Sequence, residues 1–99
     1  MIHRLACLAV AALLTACGDS APGPLGGTWQ ATAPLPMNAT FRDGEMESMG
    51  VIEKVGYKVD GRSVIVTMKG GMMKGTAVRY ELRDPRTAVA MGVTYRKVQ

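Results

Sequence analysis

The sequence predicts an all-β domain over residues 27–99, a small antiparallel meander that closes into a barrel or a curled sheet. Three observations predict it. Short β-rich runs alternate apolar with polar residues and are punctuated by turn signals about every ten residues. Two Asp-Gly pairs, Asp43-Gly44 and Asp60-Gly61, each separate two such runs. Asp-Gly in that setting is a strong hairpin signal, because a type I′ turn needs positive φ at both central residues. Finally, no stretch after Gly27 carries a sustained apolar stripe of period 3.6 bounded by helix caps.

The strands follow in order. Thr28 to Thr32 (TWQAT) is the first, ended by Ala33-Pro34-Leu35-Pro36, since proline has no amide to give to a ladder. Met37 to Arg42 (MNATFR) runs into Asp43-Gly44, and Glu45 to Met49 returns from it. Lys54 to Val59 (KVGYKV) meets Asp60-Gly61, followed by Arg62 to Met68 (RSVIVTM). Val64, Val66 and Met68 share one face of that strand, and Ser63, Ile65 and Thr67 share the other. Thr76 to Leu82 (TAVRYEL) sets Val78, Tyr80 and Leu82 opposite Ala77, Arg79 and Glu81. Arg83-Asp84-Pro85-Arg86 is a turn, and Thr87 to Met91 and Val93 to Val98 complete the sheet around Gly92.

The N-terminus is of another kind. His3 and Arg4 stand before an unbroken apolar run of ten residues, Leu5 to Leu14 (LACLAVAALL). A spanning helix needs about 20 apolar residues, so this run fits the apolar centre of a secretory signal instead. Leu14-Thr15-Ala16-Cys17 closes it and resembles the lipobox of bacterial lipoproteins, a leucine and two small residues before a cysteine. The resemblance implies a diacylglyceryl group on the Cys17 thiol, cleavage between Ala16 and Cys17, and further acylation with chains such as palmitate on the new amine in many Gram-negative bacteria. Cys7 has Arg4 where the box requires leucine and is expected to leave with the signal, residues 1–16. Gly18 follows the cysteine where enteric inner-membrane lipoproteins carry aspartate. The expected place is therefore the cell envelope, lipid-anchored, at the outer membrane facing the periplasm. Residues 17–26, the lipidated cysteine and the segment GDSAPGPLG, read as a flexible tether.

Within the domain, Gly27-Thr28-Trp29 resembles the Gly-x-Trp opening of lipocalin-like barrels. The resemblance implies a tryptophan packed across a barrel floor and, as an alternative function, a small-ligand carrier.

The chemistry-bearing residues mostly exclude. The single histidine is His3, in the expected signal, and the two cysteines are Cys7 and Cys17. The expected mature domain therefore has neither imidazole nor free thiol, which removes Ser-His-Asp and Cys-His nucleophiles and zinc sites of Cys or His. Glu45, Glu47 and Glu53 read as exposed carboxylates on a sheet. No enzyme and no cofactor are expected. A net charge of +4 is scattered among acidic residues, with one Trp and one Phe to stack on bases, so no nucleic-acid partner is expected.

Methionine is the compositional oddity, eight residues in 99. Met46, Met49, Met72 and Met73 offer soft thioethers that suit Cu(I) if strands bring them together, although methionine also fills irregular gaps in small cores. Met72 and Met73 stand between lysines in Lys69-Gly70-Gly71-Met72-Met73-Lys74-Gly75. Two adjacent apolar side chains at a glycine-rich hairpin tip call for partner contact, lipid contact or folding back over the barrel end. The reading is a membrane-anchored, non-catalytic binding or assembly module with an envelope protein as partner.

Overall fold

The computed structural model describes residues 20–99. The expected signal peptide, Cys17, Gly18 and Asp19 lie outside the described residues.

Eight antiparallel strands form a closed up-and-down barrel: β1 (Gly27–Ala31), β2 (Met37–Arg42), β3 (Glu45–Ser48), β4 (Val51–Asp60), β5 (Ser63–Met68), β6 (Ala77–Asp84), β7 (Thr87–Ala90) and β8 (Val93–Lys97). Each strand pairs with its sequence neighbour, and β1 pairs with β8 to close the ring. All eight expected strands are present. The barrel is the alternative realised, which leaves no sheet edge open to another chain. β1 and β8 share two register pairs, Trp29↔Lys97 and Gln30↔Arg96, and the seam continues past them, with Thr28 N–H donating to Gln99 O (3.0 Å) and Val98 N–H to Thr28 O (2.8 Å).

Alternation builds the core. Trp29, Ala31, Phe41, Val55, Tyr57, Val64, Val66, Tyr80, Leu82, Ala88 and Tyr95 are buried, with Val64 and Val66 on the face their spacing predicts. Aromatic rings fill the interior. Phe41 and Tyr80 meet edge to face at 5.1 Å between centroids, Tyr80 and Tyr95 lie at 5.8 Å, and Phe41 and Tyr57 at 6.4 Å.

Three expectations are corrected. First, residues 20–26 are packed rather than a free tether. A 3-10 turn, Gly23–Leu25, seats a fully buried Leu25 in the barrel, and Gly44 N–H donates to Ser20 O at 2.8 Å. The apolar Leu25 has somewhere to be buried, which a reading of Gly, Pro and Ser content overlooks. Second, β4 begins at Val51 rather than Lys54, because Val51 and Ile52 pair with Ser48 and Glu47 of β3. Third, Asp60-Gly61 is not a type I′ turn. Asp60 pairs with Ser63, so the loop is Gly61-Arg62, and Gly61 alone takes positive φ. That is the pattern of a type II′ turn. Both residues are left-handed instead at Met49-Gly50 (φ 52° and 84°) and Met91-Gly92 (φ 50° and 79°).

Candidate functional site

In an up-and-down barrel, alternate connections lie at opposite ends. One end, the floor, carries the β2–β3, β4–β5 and β6–β7 hairpins and the turn holding Leu25. Trp29 is fully buried there, its Nε1–H donating to Leu25 O at 2.8 Å, while Lys97 Nζ stands 5.8 Å from the ring centre. The Tyr57 hydroxyl binds the Asp43-Gly44 hairpin from inside, at Arg42 O (2.9 Å) and at Glu45 O (2.5 Å). A cleft of about 320 Å³ lies against the floor, between Pro24, the Gly61-Arg62 turn and residues Leu82 to Pro85.

The other end, the far rim, is different in chemistry. Its four connections present Leu35 (β1–β2), Met49 (β3–β4), Met72 and Met73 (β5–β6) and Met91 (β7–β8), with exposures from 58% at Met73 to 100% at Met72. Of the nine exposed large apolar side chains among the described residues, seven are at this end once Val51 and Ile52 are included, and Val59 and Val98 are at the floor. Scattered apolar residues need no explanation, but an accumulation on every tip of one end does. The backbone adds a second sign. Met49 and Met91 occupy the left-handed region, which costs a side chain without a local hydrogen bond about 1–2 kcal/mol. Asparagine or glycine fits that position better, so the turns alone do not explain methionine at both.

The β5–β6 tip is held in shape rather than folded back. Met68 N–H donates to Thr76 O (2.8 Å), Gly75 N–H to Met68 O (2.8 Å), Thr76 N–H to Met73 O (2.9 Å) and Lys69 N–H to Lys54 O (2.9 Å). These bonds close the loop base and leave Met72 in solvent. Beside this rim, a cleft of about 260 Å³ is lined by Ala31, Pro36, Met37 and Met49 among others.

The remaining sequence candidates do not converge. Glu45 and Glu47 point outward onto Arg42, whose Nη2 lies 3.0 Å from Glu47 Oε1 and whose Nε lies 3.5 Å from Glu45 Oε1. Glu53 takes the opposite face, paired with Met46 in the sheet, and its carboxylate sits beneath Gly71 of the tip. Met46 packs on the core, apart from the exposed Met49, Met72 and Met73. Among the described residues no group of three or more His, Cys, Asp or Glu side chains is placed to hold a metal ion. Sequence reasoning found the Met72-Met73 tip, named Met49 only as a candidate thioether ligand beside Met46, and missed Met91; the signal for Met49 and Met91 as turn tips was two Met-Gly pairs at the ends of short strands.

The buried phenols give the domain a pH limit. Burial pushes Tyr57 up to about 12, and burial raises Tyr80 and Tyr95 as well. A phenol in the unfolded chain ionises near about 10. Its contribution to stability is therefore intact below that value and is lost as pH rises through the folded value. The melting temperature should hold to about pH 9 and fall between about pH 10 and 12. Tyr57→Phe should make that fall shallower. An alkaline fall identical in wild type and variant would refute Tyr57 as a source.

The class that fold and sites define is an eight-stranded up-and-down β-barrel with an aromatic interior and an apolar rim. Compared with protein-family models, curated proteins and solved structures, the chain has no match in any of the three.

Proposed function

We propose that this protein is a lipoprotein of the bacterial cell envelope, anchored through acyl chains on Cys17, whose barrel is a non-catalytic binding or assembly module. The observation that carries the reading is Leu14-Thr15-Ala16-Cys17 at the end of a ten-residue apolar run, ten residues before the first strand of the barrel begins at Gly27. One acyl chain binds a bilayer only marginally, at about 0.8 kcal/mol per buried methylene, whereas two or more hold stably. The filled interior supports binding on the outside of the barrel, and the apolar rim supplies a surface for it. Glu45 and Glu47, engaged with Arg42, support no general acid–base pair.

A second reading, a lipocalin-like small-ligand carrier, is favoured by the number and order of the strands and by Trp29 at the floor. It predicts saturable uptake of a fluorescent fatty acid by the purified domain. The binding-module reading predicts none.

The test of the anchor is substitution of each cysteine in cells fed labelled palmitate. Cys17→Ser should lose the label and remain as the uncut precursor, while Cys7→Ser should keep the label. Label on the Cys17→Ser protein would overturn the assignment. With Gly18 after the cysteine, density-gradient fractions from a Gram-negative host should place the protein in the outer membrane; recovery with the inner membrane would overturn that placement.

A further inference from the structure

We propose that the far rim is a site of reversible methionine oxidation, at which Met49, Met72, Met73 and Met91 each take an oxygen atom from a peroxide while the barrel stays folded. The inference goes beyond the lipoprotein reading and does not rest on it.

The distribution of thioethers carries it. The described residues hold seven methionines, and the fold divides them into two groups. Met49, Met72, Met73 and Met91 are 63%, 100%, 58% and 84% exposed, and all four stand on rim connections. Met37, Met46 and Met68 pack against the core instead. Oxidation requires the oxidant to reach a sulfur lone pair, so susceptibility follows exposure. The two groups share one chemistry and differ in access to it.

The step is a two-electron oxygen transfer. The sulfur lone pair attacks one oxygen of hydrogen peroxide, and an S–O bond forms as the O–O bond breaks. The departing hydroxide takes the proton of the transferred oxygen and leaves as water. The thioether is oxidised to the sulfoxide and the peroxide is reduced by the same two electrons.

The rim is built to survive this change. Backbone bonds close the β5–β6 tip, Gly75 N–H to Met68 O (2.8 Å) and Thr76 N–H to Met73 O (2.9 Å), and no thioether takes part in them. Ser48↔Val51 and Ala90↔Val93 flank the Met49 and Met91 turns in the same backbone terms. A sulfoxide at an exposed tip is hydrated where it forms. The same group on Met37, Met46 or Met68 would set a polar oxygen against apolar core side chains, at a cost in stability. Four additions therefore turn the apolar end of the barrel polar and leave its interior unchanged. Methionine sulfoxide reductases reverse the reaction, one enzyme for each sulfoxide epimer, and the exposure that admits the peroxide also admits them.

The experiment treats the purified full-length chain with hydrogen peroxide, beside a sample unfolded in urea, and follows sulfoxide at each methionine by fragmentation mass spectrometry. In the folded protein the four rim positions should oxidise at least about ten-fold faster than Met37, Met46 and Met68, whereas in urea all seven should react alike. With the rim oxidised, the melting temperature should match that of the untreated protein, and the two reductases together should restore the four thioethers. A chain carrying Met49→Leu, Met72→Leu, Met73→Leu and Met91→Leu should lose the fast phase of oxygen uptake. Equal rates at rim and core methionines in the folded protein, a melting temperature lowered by rim oxidation, rim sulfoxides that the reductases leave untouched, or a fast phase that persists in the leucine variant would each overturn the proposal.

Discussion

Gly27→Ala should cost about 3 kcal/mol or more and leave the domain largely unfolded at physiological temperature. Gly27 takes φ 118°, which a side chain resists, and a Cβ there would lie 2.5 Å from Gln99 O and 2.8 Å from Lys97 Cε. The lysine end can move. The carbonyl cannot, because it accepts the Thr28 N–H at 3.0 Å in the seam that closes the barrel. Displacing it removes one of the backbone bonds that extend the β1–β8 seam beyond its two register pairs. Domains of this size without disulfides have about 3–5 kcal/mol in total, and each kcal/mol lowers the melting temperature by about 4–8 °C. Gly70→Ala is the matched control, since Gly70 has ordinary φ and nothing within 4 Å of its Cβ direction. Thermal melts of the soluble domain should separate the two by about 12 °C or more. Equal melting temperatures would show that the β1–β8 seam does not hold the barrel closed.

Trp29→Ala should be as damaging, at about 3–5 kcal/mol for the emptied volume. The ring is fully buried, it bonds Leu25 O, and the chain from Pro22 to Gly26 is seated partly through that bond. Trp29→Phe keeps much of the apolar volume and loses the indole N–H, so it should cost about 1–3 kcal/mol and remain folded. Urea titrations that place the alanine variant near wild type would show that Trp29 is not the floor of the core. A phenylalanine variant as damaged as the alanine variant would assign the effect to the hydrogen bond instead of packing.

The strand order was legible because it is written in local terms. Period-two alternation in RSVIVTM and TAVRYEL set the buried faces, and proline and Asp-Gly marked the breaks. Closure into a ring was open in the sequence, because β1 and β8 are distant in sequence and their pairing has no local signature. Turn type was misread for a specific reason. At Asp60-Gly61 the aspartate belongs to the ladder, paired with Ser63, and the turn shifts one residue to Gly61-Arg62. The left-handed turns fall on Met49-Gly50 and Met91-Gly92, where nothing about methionine announces them. Leu25 was hidden among tether-like residues, and only the depth of the barrel floor explains why it packs.

The candidate site was half legible for the same reason. Met72-Met73 stands out because two apolar residues are adjacent between glycines and lysines. Leu35, Met49 and Met91 are single residues far apart in the chain. Only the up-and-down order of strands brings their tips to one end.

The account turns on a domain held at the membrane by its floor through Cys17. The most direct measurement is the mass of the N-terminal peptide of the protein purified from membranes. The account predicts that the chain begins at Cys17, with a diacylglyceryl group on the thiol, and that no peptide from residues 1–16 remains. A chain that retains residues 1–16, or one that carries Cys17 as an unmodified thiol, would contradict it.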